Sequence, residues 1–173
     1  ASVSAGAAVT LSNKLSIAST GAITASSSVT ASSLIKAGGT STQALMADGS
    51  VQTLTSGTYG PTPVGVANIT AISNGNFYYT RVGDIVTVSG VMDVEVTGNE
   101  TATTIGIPLP VSSNFTAGDQ CSGYANLYVS SSGGQVGKIV ADATNDRAII
   151  TLYPYFGAGV STQTTFTFSY RVI

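Results

Sequence analysis

There is no histidine in these 173 residues, no tryptophan, a single cysteine, and no aromatic side chain before Tyr59. Each absence excludes some chemistry. Without histidine there is no Ser-His-Asp triad, no Cys-His pair and no histidine-bound zinc. A lone Cys121 excludes an intrachain disulfide framework and a Cys-x-x-Cys metal motif, and its expected role is that of a small buried hydrophobe. Charge is scarce too. Six Lys and Arg against eight Asp and Glu make up 8% of the chain, where a soluble domain carries roughly 25%. A net charge of −2 with scattered cations leaves no electrostatic footprint for nucleic acid or an anionic membrane. No apolar run approaches the ~18 residues of a membrane-spanning helix, and no signal-peptide pattern is present. The expectation is a protein with no nucleic-acid partner, no membrane insertion, no cofactor and no metal. The chain opens at Ala1 without an initiator methionine, as expected of a processed chain or a piece of a longer one.

What is present is hydroxyl. Serine and threonine number 47. They compete for backbone hydrogen bonds and, in threonine, branch at Cβ, so they disfavour helix and suit strands and turns. No segment of ten residues or more has helical periodicity, and the fold class expected is all-β.

Residues 1–37 read as a fibrous stem. Between Val9 and Ile35 lie eight aliphatic residues, seven of them at odd positions, and period two is the signature of a strand. Leu11, Ile17, Ile23, Val29 and Ile35 recur every six residues, with Leu15 on the same parity. A hexad repeat belongs to β-helices and related stacks. A single-chain left-handed helix of the acyltransferase type would have under two coils here and would lack that family's catalytic histidine. One aliphatic per six residues is too thin a stripe for an independent core, but three copies around a common axis could bury it, so homotrimerisation is what the segment demands. A disordered Ser/Thr linker is the plainer alternative, and the strict parity argues against it.

Residues 38–58 read as a neck, with breaks at Gly38-Gly39 and at Asp48-Gly49, the latter as a turn. Leu45 and Met46 are expected to plug that neck. From Tyr59 to Ile173 the pattern is that of an antiparallel β-sandwich, jelly-roll-like, with about eight strands separated by turn residues. "NFYYTRV" leads through Gly83-Asp84 into "IVTVSGVMDVEV", a predicted hairpin with Val86, Val88, Met92, Val94 and Val96 inward and Thr87, Ser89, Asp93 and Glu95 outward. Gly90 falls on the inward side and predicts a bulge. Near the end, Phe166, Phe168, Tyr170 and Val172 alternate again.

Little of this carries chemistry. Asp93 and Glu95 share a strand face and could form the carboxylate pair of a glycoside hydrolase, but such pairs more often line a solvated sheet. Asp142, Asn145 and Asp146 resemble a calcium cradle, and a hairpin turn explains them better. Asn68, Asn99 and Asn114 each open an Asn-x-Thr glycosylation sequon, a frequent coincidence in so threonine-rich a chain. The remaining candidates are tyrosines, which are stiff, apolar and hydrogen-bonding at the tip, and so suit the gripping of sugars and protein surfaces. Tyr78, Tyr79, Tyr124, Tyr128, Tyr153 and Tyr155 are the receptor-binding candidates, and in the Tyr78/Tyr79 pair only one is expected to face outward.

The joint "GGTSTQALMADGSV" (residues 38–51) resembles the Gly-Gly-Thr-Ser…Ala-Asp-Gly-Ser stretch of bacteriophage tail and head fibres, just before their distal domain. "YYTRVGDIVTVSGVMDV" (residues 78–94) is similar to a hairpin of the small β domains that end such fibres. The resemblance implies a non-enzymatic homotrimeric virion fibre on the extracellular virion surface. It would be joined to other virion proteins, with its C-terminal domain outermost and binding a host-surface glycan or protein. It transfers no catalytic residue. The alternative is a capsid decoration or head fibre of mainly structural role.

Overall fold

The structure, a computed structural model, describes residue 30 and residues 37–129 and 133–173. The stem anchors Leu11, Leu15, Ile17, Ile23, Val29 and Ile35 lie outside the described residues. What is described is nearly all β. The strands are β1 (Gln43–Leu45), β2 (Val51–Tyr59), β3 (Val64–Ala67), β4 (Ile69–Asn74), β5 (Phe77–Val82), β6 (Ile85–Val96), β7 (Thr103–Pro108), β8 (Cys121–Val129), β9 (Gly133–Asp142), β10 (Arg147–Leu152) and β11 (Ser161–Arg171). One short 3-10 turn, Gly118–Gln120, is the only helical element among the described residues.

All pairings are antiparallel, in the order β1-β2-β5-β6-β11-β8-β9-β10-β7-β3. The sheet is curled, and the chain itself carries it round. β3 pairs β7 at one end of that path, and one residue later β4 pairs β6 in its middle. The intervening Asn68 takes φ +57°, the left-handed region that asparagine tolerates better than most residues. Its side chain holds the corner. Nδ2 donates to Gly98 O (2.8 Å) and Thr103 Oγ1 (2.7 Å), and Oδ1 accepts from Gly98 N (2.8 Å). The connection between β6 and β7 is thereby tied to the β3–β4 corner.

The joint forms a hairpin. Gly49 takes φ +82°, its N–H donates to Met46 O (3.0 Å), and Asp48 Oδ1 accepts from both the N–H and the hydroxyl of Ser50. β2 runs from this turn across the expected boundary at Tyr59, and Leu54 to Tyr59 pair with β5. Leu45 and Met46 are both exposed.

The core follows the predicted parity. Val86, Val88, Met92, Val94 and Val96 are buried on β6, and Thr162, Thr164, Phe166, Phe168 and Tyr170 on β11. Cys121 is buried among them, and desolvation pushes its thiol pKa up to about 12. Gly90 corrects the sequence reading. β6 pairs β11 in unbroken register through Gly90↔Phe166, so it is not a bulge. A Cβ at Gly90 would lie 2.5 Å from Phe77 Cδ1 and 2.7 Å from Phe166 Cζ, and the missing side chain makes room for that ring pair. The irregularity sits on the opposite strand. Asn74 faces Met92 and Tyr78 faces Ser89, so residues 75–77 oppose only residues 90 and 91. β4 and β5 therefore form one interrupted strand along β6, broken at Gly75-Asn76.

Seven rings run through the interior in contact order Tyr79, Tyr59, Phe77, Phe166, Phe168, Tyr170 and Phe115, with centroids 4.8–6.2 Å apart. Such pairs add about 0.5–1.5 kcal/mol each beyond their area burial. This spine explains why aromatics begin at Tyr59. Its last members also order the long connection between β7 and β8. Tyr170 Oη donates to Val111 O (2.7 Å) and accepts from Val111 N (3.2 Å).

Candidate functional site

Because period two sends alternate residues to opposite faces, filling the interior fixes what the outer face shows. Three cross-strand rows of that face follow from the pairings. The first, Leu54–Val82–Ile85, is aliphatic and exposed, and lies at the end where the chain enters, since Leu54 N donates to Thr42 O (2.7 Å). Next comes a row of hydroxyls, Ser56–Thr80–Thr87–Ser169–Ser122. Beyond it runs Tyr78–Ser89–Thr167–Tyr124–Lys138. Tyr78 and Tyr124 are three strand spacings apart, roughly 14 Å.

Tyr78, Tyr124, Tyr128, Tyr153 and Tyr155 are each 58–64% exposed. Tyr78, Tyr124 and Tyr128 stand on the outer face. Tyr153 and Tyr155 lie in the loop after β10, where the alternation continues past the strand's end with Pro154 and Phe156 buried between and after them. Gln135 Oε1 holds that loop by accepting from Tyr155 N (3.2 Å). Tyr79 is different. It is half-buried, its ring edge-on to Tyr59 at 6.1 Å and lying against Gly57. The Tyr78/Tyr79 pair thus splits as period two requires.

Beside Tyr78 the interruption at Gly75-Asn76 opens a depression of about 440 Å3. It is lined by Ser73, Asn76, Tyr78, Val91, Asp93 and Gln163, together with Gly75 and the buried Met92. Asp93 and Gln163 are direct cross-strand partners, as are Ser73 and Asp93, and Ser73 Oγ donates to Asp93 Oδ2 at 3.3 Å. Ser73, Asn76 and Gln163 were not legible as site residues in the sequence. Ser and Asn are background in this composition, and only the register of β4 against β6 assembles them.

The carboxylate constellations resolve differently from one another. Asp93 is exposed and Glu95 half-buried on the outer face. The Asp142 cluster is a turn whose acceptors are occupied by donors. Asp142 accepts from Thr144 N (3.1 Å), Asn145 Nδ2 (2.8 Å) and Arg147 Nε (2.8 Å). Burial pushes its pKa up, but these donors and the Arg147 charge together outweigh that and hold it below the usual carboxylate range. Asp146 accepts from the N–H groups of Ser113 (3.1 Å) and Phe115 (3.0 Å). Among the described residues no three His, Cys, Asp or Glu side chains converge as a metal site, and no helix is long and apolar enough to cross a membrane. Asn68, the first sequon asparagine, has its amide committed to the corner between β3 and β4.

Comparison with known proteins returns no similarity on which to rest a family: no family model, no curated protein and no solved structure matches this chain.

Proposed function

We propose that this chain is a structural component of a bacteriophage virion, a non-enzymatic homotrimeric fibre. Its stem is the hexad segment, and its tip is the curled sheet, read as a C-terminal β-sandwich that binds a host-surface receptor. The observation that carries the reading is the contrast on the outer face. Among the short hydroxyl and aliphatic side chains of that face stand three tyrosines more than half exposed, and two more stand on the adjoining loop. Large rigid rings left in water suit contact with another molecule.

Oligomerisation is supported by the other end of the domain. Leu54, Val82 and Ile85 form an exposed aliphatic row, with Leu45 and Met46 exposed on the adjacent hairpin. A second copy held close by the stem repeat would cover that row. Weak contacts at each tip would then be multiplied by threefold display and by several fibres per particle.

The test is the mass of the full chain in solution by light scattering, together with retention of labelled protein on intact bacterial cells. A trimer of 17.3 kDa chains that is driven toward monomer by Leu54→Lys with Val82→Lys, and that adsorbs to cells, supports the reading. A monodisperse monomer sinks the fibre. A trimer that adsorbs to no cell type favours the alternative, a capsid decoration or head fibre of mainly structural role.

A further inference from the structure

We infer that the depression beside Tyr78 is a binding site for a neutral saccharide. The inference rests on the receptor-binding reading of the tip and narrows it to one site and one class of ligand.

Shape comes first. The other exposed tyrosines on the sheet, Tyr124 and Tyr128, rise from continuous strands, whereas Tyr78 stands at the lip of a depression opened by the extra residue at Gly75-Asn76. Its volume of about 440 Å3 falls within the ~300–1,000 Å3 of small-ligand sites. The chemistry of the lining comes next. One wall is an aromatic ring, whose face takes the C–H face of a pyranose. The opposite wall is a cross-strand row of Ser73, Asp93 and Gln163. A carboxylate is an acceptor with about four lone-pair sites, and Ser73 Oγ fills one position on Asp93 Oδ2. Its remaining capacity suits the paired donors of vicinal hydroxyls. Gln163 and Asn76 each offer both a donor and an acceptor, so a sugar hydroxyl meets a complement whichever way it points.

Charge then selects the class. The lining holds one carboxylate and no Lys or Arg. A sialic acid, uronic acid or phosphorylated sugar would bring like charge against Asp93 with no cation to offset it, which disfavours it. A neutral hexose or N-acetylhexosamine meets no such penalty. An open single site implies millimolar affinity, which becomes useful through multivalent display.

The test uses the full chain, labelled with 15N, titrated with the methyl glycosides of glucose, galactose, mannose, N-acetylglucosamine and, as the acidic sugar, N-acetylneuraminic acid. Expected are amide shifts at Ser73, Asn76, Tyr78, Asp93 and Gln163 with at least one neutral glycoside and none with the sialic acid glycoside. Tyr78→Ala and Asp93→Asn should each weaken that response at least tenfold. Both residues are exposed, so neither variant is expected to unfold the sheet, and the unchanged amide spectrum elsewhere verifies it. Shifts centred on Tyr124, Tyr128 or the 153–160 loop overturn the site, and a response only to the sialic acid glycoside overturns the ligand class. Retention on intact cells, before and after periodate oxidation of their surface sugars, separates this inference from its premise. Retention that survives both periodate and Tyr78→Ala overturns the saccharide site while the receptor reading stands. Absence of retention on any cells overturns the receptor reading itself.

Discussion

The two faces of β6 and β11 are built from neighbouring residues of the same two strands, yet they have opposite fates. Inward, Val86, Val88, Met92, Val94, Phe166, Phe168 and Tyr170 are buried, the last three as members of the aromatic spine. Outward, Thr87, Ser89, Asp93, Gln163 and Thr165 meet solvent. Composition does not separate the faces cleanly, since Thr162 and Thr164 are buried while Thr165 is exposed. Parity does. The lesson is that in a chain so poor in charge, parity and not residue type decides which threonines are buried, and the large rings left on the outside are the ones to ask about.

The comparison can be broken most sharply at the spine. Phe168→Ala removes a fully buried ring between two others and is expected to cost about 3–5 kcal/mol, whereas Ser89→Ala on the outer face should stay within ~0.5 kcal/mol. Guanidinium unfolding of both variants measures the contrast, and similar losses from the two would mean that the faces are not energetically distinct. Gly90→Ala comes next. Its Cβ would press on the rings of Phe77 and Phe166, and overpacking of this kind costs about 1–3 kcal/mol. If that loss comes from the ring pair, the double variant with Phe77→Leu should cost less than the sum of the two single changes. A flexible bulge at Gly90 would instead have tolerated alanine.

A smaller effect of opposite sign is expected at Thr164. Its hydroxyl is buried with no hydrogen-bond partner among the described residues. Thr164→Val keeps the shape and removes the desolvated polar atom, so stability should rise by about 1 kcal/mol. A loss would reveal a partner for that hydroxyl. The last effect is a slope in pH. The folded pKa of Asp142 lies below its unfolded value. The stabilisation is therefore complete above the unfolded pKa of about 4 and is lost as pH falls through the folded pKa. Asp142→Asn should be less stable than the parent at pH 7 and should lose less on acidification below about pH 4. Equal acid slopes for the two proteins would show that the turn between β9 and β10 does not couple to folding.

Much of this protein was determined by sequence alone, through local physics. The all-β class followed from hydroxyl-rich composition and the lack of helical periodicity. The β5–β6 hairpin followed from Gly83-Asp84 between alternating runs. The buried residues of β6 and β11 followed from period two, which needs no partner strand to be read. The turns at Asp48-Gly49 and at residues 143–146 followed from side chains that bond their own backbone. The candidate tyrosines were visible as residue types, but the division that leaves Tyr79 half-buried against Tyr59 needed the location of the interior.

Tertiary structure decided whatever depends on which strand lies beside which. Gly90 looks like a bulge along its own strand, and only the approach of Phe77 and Phe166 from two other strands shows why a side chain is excluded there. Asn68 looks like a sequon until the corner between β3 and β4 brings Gly98 and Thr103 within reach of its amide. Ser73, Asp93 and Gln163 lie up to 90 positions apart and become one row only through the registers of β4 and β11 on β6. The physical reason is common to all three. A strand's own sequence sets which face each side chain takes, but its neighbours and register are settled by the free energy of closing one shared core, to which every strand contributes at once.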